Sequence, residues 1–301
     1  MPEPATVVIL AGSTASGKTE LAIELAREFD AEIVGADSRQ IYRDMPIGTA
    51  SPSTAQLKTV RHHLVAFLDP NTRYSAAQYA RDAIAAIDEI RARRKRAIVA
   101  GGTGFYIRAL IGGVALAPHY DQTLRDRLAR EATTHPPEFL HRWLRSRDAA
   151  RAKALAPNDT YRVLRALEIS LTEPRTGTPA PTLASEGYAV LLVFLDLPWS
   201  EIDARIARRT TQMLDGGLIE EAERIGEGAI AANAVGYPQV HAYLGGLSTK
   251  KELRGLLERA TRRYARRQRA WFRGEPATLW LSPYSVAAAI REKLQWSTKR
   301  A

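Results

Sequence analysis

Residues 12–19 read Gly-Ser-Thr-Ala-Ser-Gly-Lys-Thr, which is a complete G-x-x-x-x-G-K-[ST] phosphate loop. The loop follows an apolar, β-branched run at residues 7–10, which is typical of a buried parallel strand. Apolar residues then recur at helical spacing from Leu21 to Phe29. The backbone N–H groups of such a loop and the N-terminal end of the helix dipole bind phosphate. The sequence therefore predicts binding of a di- or triphosphate, with Lys18 on the terminal phosphate and the Thr19 hydroxyl on Mg²⁺.

A carboxylate, Asp37, follows the second predicted strand at residues 32–36. Because the carboxyl ends of parallel strands meet at one edge of a sheet, we expect Asp37 on the same edge as Lys18. A carboxylate there serves as a general base, a Mg²⁺ ligand or a helix cap, and the residues leave these three roles open. Residues 47–50 are predicted to form a tight turn at the same edge.

Two further groups are candidates for ligand contact. Gly101 and Gly102 follow the third predicted strand, where missing side chains allow a ligand to approach the backbone. An ordinary strand–helix turn explains them equally well. Arg205 and Arg209 are spaced to share one face of a helix. Guanidinium groups suit bidentate phosphate contact, and a solvated helix face is the alternative.

The elements that position these residues alternate along the chain. Strands are predicted at residues 7–10, 32–36, 97–100, 189–196 and 278–281, with helical patterns between most of them. Such alternation predicts a mostly parallel sheet covered by helices on both faces. Residues 113–184 show only helical segments interrupted by prolines.

The predicted fold is therefore α/β: a P-loop NTPase-like, mostly parallel sheet flanked by helices, with an all-helical insertion domain. The core comprises residues 1–112 and 185–301, and the insertion comprises residues 113–184. The second part of the core ends with a basic helix, in which arginines recur at positions 262, 266, 269 and 273.

The chain of 301 residues has a formal net charge of +10 and no cysteine. The positive charge favours a polyanionic partner, because Lys and Arg displace counterions from phosphates. The lack of cysteine excludes disulfides, thiolate zinc sites and a cysteine nucleophile. The sequence has no basic signal-peptide start and no apolar run of about 20 residues, so we expect a cytoplasmic protein.

Taken together and in order, the segments of this chain resemble the bacterial tRNA dimethylallyltransferase family, also called tRNA isopentenyltransferases. Besides the phosphate loop, the matching motifs are Asp-Ser-Arg-Gln-Ile-Tyr (37–42), Ile-Gly-Thr-Ala (47–50), His-His-Leu (62–64), Tyr-Ser-Ala-Ala-Gln-Tyr (74–79), Gly-Gly-Thr-Gly-Phe-Tyr (101–106), Pro-Asn-Asp (157–159), Arg-Val-Leu-Arg-Ala-Leu-Glu (162–168), the arginine pair at 205 and 209, Ala-Val-Gly-Tyr (234–237) and Arg-Arg-Tyr-Ala-Arg-Arg-Gln (262–268). The phosphate loop alone occurs in many NTPases, whereas the ordered set is specific and covers nearly the whole chain. Ser51 departs from the pattern, because the family often has lysine there.

The resemblance implies transfer of a dimethylallyl group from dimethylallyl diphosphate to N6 of adenine 37, beside the anticodon of tRNA, with Mg²⁺ as cofactor. The implied catalytic groups are Asp37, Lys18, Thr19 and Arg209, with Asp37 taking the proton from N6 and Thr19 as the metal ligand. The implied diphosphate contacts are Gly12, Ser13, Thr14, Ala15, Ser16, Gly17, Lys18, Thr19 and Arg209. The implied contacts with the anticodon stem-loop are Asp37, Ser38, Arg39, Gln40, Thr103, Arg125, Tyr161, Arg162, Val163, Leu164 and Arg165. A monomer is expected.

Two other functions share parts of this pattern. A phosphate-loop small-molecule kinase with ATP as donor would use the same loop, Mg²⁺ and sheet. Against it, residues 192–196 are the only candidate for a strand that ends in a Walker B aspartate, and they match poorly. A basic, nucleotide-gated RNA-binding module would share the charge and the loop without transferase chemistry.

Overall fold

A computed structural model describes residues 5–112, 121–172 and 180–296 of the chain. The chain divides into two compact units, one formed by Met1–Gly113 with Pro181–Ala301 and the other by Val114–Ala180. The first unit contains strands and helices, and in the described residues of the second unit we find only helices and their connections. The predicted start of the insertion, residue 113, lies outside the described residues.

The strands of the first unit are β1 (Thr6–Gly12), β2 (Ala31–Gly35), β3 (His62–His63), β4 (Arg96–Gly101), β5 (Ala189–Leu195) and β6 (Leu279–Leu281). They form one sheet in the order β3-β2-β4-β1-β5-β6, and each neighbouring pair is parallel. The register aligns Leu10 with Ala100 on one side and with Val193 on the other. The carboxyl ends of β1, β2 and β4 therefore lie at one edge, and the α/β class is confirmed.

The helices in the described residues are α1 (Lys18–Glu28), α2 (Pro46–Thr49), α3 (Thr54–Thr59), α4 (Ala76–Ala92), α5 (Gly104–Gly112), α6 (Gln122–Thr134), α7 (Pro137–Arg147), α8 (Ala149–Lys153), α9 (Thr160–Leu171), α10 (Trp199–Asp215), α11 (Leu218–Ile225), α12 (Tyr237–Leu244), α13 (Lys250–Arg273) and α14 (Val286–Leu294). Short 3-10 turns occupy Ile230–Asn233 and Pro283–Ser285. Local sequence explains several helix starts. Ser75 with Gln78 and Thr249 with Glu252 form capping boxes that begin α4 and α13.

The core of the α/β unit lies on both faces of β1. Val8 and Leu10 pack in a cluster with Phe29, which directly follows α1, and with Ile290 of α14. Ile9, whose side chain points to the opposite face, is also fully buried. A continuous apolar run, rather than an alternating one, is what a central parallel strand requires.

The helical unit has its own core. Leu128 of α6, Leu140 and Leu144 of α7, and Val163 and Leu167 of α9 form a buried cluster. The unit ends at Ala180, earlier than the predicted boundary at residue 184. The reason is that Leu183 is fully buried and its N–H donates to the Leu110 carbonyl, which ties it to the α/β unit.

The structure differs from the sequence prediction at two edges. Strand β3 was not predicted, because two residues carry no periodicity; it pairs His62 with Ile33 and His63 with Val34. Residues 47–50 were predicted as a tight turn. Residues 47–49 instead lie in the single helical turn α2, and Ala50 caps its C-terminal end with a φ of 46°. Among the described residues, none of the helices is long and apolar enough to span a membrane.

Candidate functional site

The phosphate loop connects β1 to α1 and turns back on itself. The Ser16 N–H donates to the Ser13 carbonyl at 3.2 Å, and Lys18 Nζ donates to the same carbonyl at 2.9 Å. Gly17 caps α1 with a φ of 84°, a conformation that costs glycine little. The glycine in the motif is therefore required by the turn that points the backbone toward an anion.

Lys18 is a half-buried cation. Burial lowers the pKa of its ammonium group to about 8, the positive charge of Arg209 acts in the same direction, and Asp37 opposes them. A charge removed from water is disfavoured unless an opposite charge compensates it. A bound anion at the loop would raise the pKa of Lys18 back toward its ordinary value.

Arg209, on α10, reaches the same loop from the opposite side. Its Nη1 donates to Thr14 Oγ1 at 3.2 Å and its Nη2 to the Thr49 carbonyl at 3.4 Å. Its Nε is buried and has no hydrogen-bond partner in the part of the chain that the structure describes, and burial lowers the guanidinium pKa. Arg209 thus has a donor to spare for an anion. Its predicted companion Arg205 also lies against the loop, since a Cβ built on Gly17 would be 2.8 Å from Arg205 Nη1, and it is paired with Glu201 at 2.5 Å.

Asp37 lies two residues beyond the end of β2. Its Oδ1 accepts a hydrogen bond from the Arg39 N–H at 2.9 Å, so the carboxylate caps the turn that follows the strand. Its charge also raises the pKa values of Lys18 and Arg209 against the effect of burial. Asp37 therefore lies within electrostatic reach of both cations.

The turn after β2 is tied to the turn after β4. Thr103 Oγ1 accepts from the Ser38 N–H at 2.9 Å and lies 3.3 Å from Ser38 Oγ. Gly101 permits this approach, since a Cβ built there would lie 2.1 Å from the Ala36 carbonyl oxygen. Close packing against the end of β2 requires a glycine at this position, and Gly101 and Gly102 also line the cavity described next.

One cavity of about 1420 Å³ joins these groups. Its lining includes residues 14–19 of the loop, residues 37–40, Thr103 and Arg209. Gly12 and Ser13, also predicted to contact diphosphate, are buried and lie outside the lining. A space of this size exceeds that of a typical small-molecule pocket.

Sequence reasoning missed two residues that line this cavity, Tyr264 and Gln268 of α13. Burial raises the pKa of Tyr264. Gln268 is 6% exposed, and its carboxamide bonds the Thr14 N–H at 2.7 Å and the Gly102 carbonyl at 2.9 Å. A polar residue on the apolar stripe of α13 was the signal that could have identified Gln268.

The residues predicted to contact tRNA from the helical unit have two different environments. Tyr161 is 81% exposed, and the side chain of Arg162 is 67% exposed and paired with Asp159 at 3.1 Å. Val163, in contrast, is fully buried in the core of the unit, and Leu164 packs against that core. The Val163 side chain therefore offers no surface to tRNA, which corrects that prediction.

Arg125 and Arg165 share a buried carboxylate. Arg125 Nε lies 2.9 Å from Glu168 Oε1, and Arg165 Nη1 lies 2.6 Å from Oε2. The Glu168 side chain is only 2% exposed. Burial raises the pKa of Glu168, but hydrogen bonds from both arginines outweigh it and lower the pKa. Both arginines thus stabilise the charge that joins α6 to α9.

The donor set near the loop suits a hard cation that keeps few protein ligands. No group of three or more His, Cys, Asp or Glu side chains that could hold a metal occurs in residues 5–112, 121–172 and 180–296. Mg²⁺ commonly binds through one or two protein oxygens together with substrate phosphates. The Thr19 hydroxyl and the Asp37 carboxylate line the same cavity and fit that chemistry.

Comparison with known proteins gives consistent matches. A family model described as IPP transferase matches residues 40–275. The chain is 41% identical over 286 residues to a tRNA dimethylallyltransferase of Geobacter sulfurreducens, covering 91% of both chains. It is 42% identical over 295 residues to a tRNA dimethylallyltransferase of Anaeromyxobacter dehalogenans, covering 96% of this chain and 99% of the relative.

Solved structures that superimpose on this chain carry the same kind of name as these relatives. The crystal structure of a tRNA isopentenylpyrophosphate transferase from Bacillus halodurans superimposes with a TM-score of 0.70 at 32% identity, covering 96% of this chain and 97% of that one. A eukaryotic dimethylallyltransferase acting on tRNA superimposes with a TM-score of 0.74 over 98% of this chain and 81% of that one. At 22% identity, the second match shows a shared fold.

Proposed function

The chain belongs to the IPP transferase family, and from that premise we propose that it transfers a dimethylallyl group from dimethylallyl diphosphate to N6 of adenine 37 in tRNA, releasing diphosphate. The relatives that match nearly its whole length are named for dimethylallyl transfer to tRNA. One observation carries the proposal for this chain: Lys18 and Arg209 share a cavity with Asp37, and among the described residues both are hydrogen-bonded only to neutral oxygens.

The phosphate loop binds the leaving group in this reaction. The bond between the allylic carbon and the bridging oxygen breaks, and its electron pair leaves with diphosphate. Positive groups already in place stabilise charge that grows in the transition state, because no reorganisation is needed at the moment of reaction. Lys18, Arg209 and the backbone N–H groups of residues 15–19 perform this task here.

Asp37 accepts the proton that N6 loses as the new carbon–nitrogen bond forms. An adenine amine is a weak nucleophile, so alignment contributes most of the acceleration. A positioned general base adds roughly 10²–10⁴-fold. The base must leave its stack to reach the cavity, at an expense on the order of a few kcal/mol. Ser38, Arg39, Gln40 and Thr103 lie beside Asp37 in the cavity and hold the extruded base.

Thr19, with Asp37 in the same cavity, would hold Mg²⁺, which would supply further neutralisation of the diphosphate. The anticodon stem-loop binds to α9, through Tyr161, Arg162 and Arg165, and to Arg125 of α6. Tyr161 and Arg162 are the exposed members of this set. The net charge of +10 favours this polyanionic partner. The protein acts as a monomer in the cytoplasm.

The test uses the full chain, radiolabelled dimethylallyl diphosphate, Mg²⁺ and tRNA with adenine at position 37. We expect label in tRNA, recovered after digestion as N6-dimethylallyl adenosine, and none in a transcript with guanine at that position. The kinase alternative is not favoured by the relatives, and it requires phosphoryl transfer from ATP to a metabolite. If no label enters tRNA at a saturating concentration of dimethylallyl diphosphate, the proposal is overturned.

A further inference from the structure

The helix α2 is a single turn held by a distant carboxylate. Glu221, on α11, accepts hydrogen bonds from the Ile47 N–H at 2.9 Å and from the Gly48 N–H at 2.7 Å. The first N–H groups of any helix lack partners within it, and a four-residue helix has too few internal bonds to form alone. Glu221 therefore supplies the hydrogen-bond acceptors that stabilise α2 at this position.

Glu221 is held rigidly in turn. It is 1% exposed, and the Tyr237 hydroxyl, at the start of α12, donates to its Oε1 at 2.7 Å. Gly48 lies directly against Tyr237, since a Cβ built there would be 2.6 Å from the ring. Two sequence motifs without an assigned role, Ile-Gly-Thr-Ala and Ala-Val-Gly-Tyr, meet in this contact.

The carbonyl at the end of α2 faces the reaction cavity. The Thr49 carbonyl accepts from Arg209 Nη2 at 3.4 Å and from Gln40 Nε2 at 3.2 Å, and Gln40 also bonds the Ala50 carbonyl at 2.9 Å. Arg209 depends on neutral oxygens for its position, since its other bond goes to Thr14 Oγ1. A displacement of α2 therefore displaces the guanidinium.

We propose that Glu221 is a positioning residue for the transferase reaction, which fixes the donor-binding Arg209 by holding α2. The proposal rests on the proposed function, in which Arg209 binds the diphosphate of the donor. Glu221 touches neither substrate, because it is buried and lies outside the lining of the cavity, whereas residues 47–49 of α2 belong to that lining. Its contribution is to place one guanidinium where the leaving group develops its charge.

Replacing the carboxylate by a carboxamide isolates this role. Three donors converge on Glu221, namely two N–H groups and the Tyr237 hydroxyl. A glutamine of the same shape has only one acceptor oxygen, and its amide group meets an N–H. A buried donor left unpaired is strongly disfavoured, so E221Q releases α2. Y237F keeps the ring against Gly48 and removes one hydrogen bond.

The experiment measures KM for dimethylallyl diphosphate, kcat, the Kd for tRNA and the Tm. For E221Q we expect the donor KM to rise and kcat to fall about tenfold each, with the tRNA Kd within twofold of wild type. Y237F shifts the donor KM about threefold in the same direction. V240A removes volume from the buried apolar cluster that contains Tyr237, and it lowers the Tm while all three constants stay within twofold.

A double variant separates positioning from general stability. In an R209A background, E221Q changes the donor KM by less than twofold, because the group it positions is gone. An undiminished effect in that background, or a donor KM and kcat within twofold of wild type in E221Q itself, overturns the inference. Pyrophosphate binding by calorimetry gives an independent readout: E221Q weakens it about tenfold, and equal affinities refute the inference. Absence of labelled tRNA with the wild type refutes the proposed function instead.

Discussion

The carboxamide oxygen of Gln268 accepts a hydrogen bond from the Thr14 N–H at 2.7 Å, across 254 positions of sequence. Its amide nitrogen donates to the Gly102 carbonyl at 2.9 Å. One side chain thus joins the phosphate loop after β1 to the glycine turn after β4. The same turn carries Thr103, which bonds the backbone beside Asp37. This link therefore fixes the distance between the phosphate loop, where dimethylallyl diphosphate binds, and the turn beside Asp37, where the adenine binds.

Q268L tests that dependence. Leucine has a similar volume but leaves the Thr14 N–H and the Gly102 carbonyl unpaired, each at a penalty of about 1–3 kcal/mol. We expect kcat/KM for the donor to fall about 10- to 100-fold in steady-state assays. K251L, at an exposed position of the same helix, should match the wild type. A Q268L enzyme with wild-type kcat/KM would show that the loop holds its place without this link.

D37N separates proton transfer from local structure. Asparagine keeps an oxygen that accepts from the Arg39 N–H, as Asp37 Oδ1 does at 2.9 Å, but it takes no proton at neutral pH. We expect turnover to fall at least tenfold while the Kd for tRNA stays within twofold. D37A loses the turn cap as well and should be at least as slow. Wild-type turnover in D37N would eliminate the general-base role.

The sequence predicted the elements that local patterns encode. The β-branched run before Gly12, the loop spacing and the helical repeat after Leu21 specified β1, the phosphate loop and α1, and strand order along the chain placed Asp37 on the same edge. The spacing of Arg205 and Arg209 made both candidates for phosphate contact, and the resemblance selected Arg209 and added Thr103. The predictions of β1, the phosphate loop and α1 succeed because strand, turn and helix preferences act over a few residues.

Other features depend on contacts between distant segments. Nothing near Glu221 in sequence reveals that it holds residues 47 and 48, and Gln268 acts 254 positions from its partner. Val163 lies inside a motif that the resemblance assigned to tRNA, yet its place on α9 points it into the core. Strand β3 exists only because β2 is there to pair with it. Tertiary packing decides all four.

Donor binding should weaken as pH rises through 8. Burial lowers the pKa of Lys18 to about 8 in the free protein, so its charge is present below that pH and lost above it. Dimethylallyl diphosphate binds the charged form, and its Kd should approach a tenfold rise per pH unit above 8. Calorimetry from pH 6.5 to 9.5 measures this dependence. K18R remains charged throughout and should flatten the curve; an equally steep curve in K18R would assign the titration to another group.

Arg162 and Arg165 should contribute differently to tRNA binding. Arg162 is exposed, so R162A should weaken binding roughly three- to tenfold and reduce the slope of log K against log salt by about 1. R165A should also lower the Tm, because Glu168 is then neutralised by Arg125 alone. Filter binding from 50 to 300 mM salt and thermal melts provide the data. R130A, at an exposed site of α6, is the control, and identical salt slopes for R162A and wild type would contradict the contact.

Stability in acid should depend on Glu32 of β2, far from the chemistry. Its side chain is 4% exposed and lies 2.7 Å from Arg93 Nη2 and 2.8 Å from His63 Nε2. Burial alone would raise its pKa, but hydrogen bonds from Arg93 and His63 outweigh burial and lower the pKa from 4.5 to about 2. A carboxyl that is more acidic when folded stabilises the fold above its unfolded pKa, and that contribution disappears as pH falls from about 5 to 2.

E32Q should therefore lower the free energy of unfolding at pH 7 by on the order of 3 kcal/mol. It should also flatten the fall in stability between pH 5 and pH 2.5, because the titrating group has been removed. Urea denaturation at four pH values measures both effects. E89Q is the control. Glu89 also pairs with Arg93, but the Glu89 side chain is 63% exposed, and exposed pairs contribute little to stability. If E32Q and E89Q gave the same pH slope, hydrogen bonding of Glu32 would not be what stabilises the edge where β3 joins the sheet.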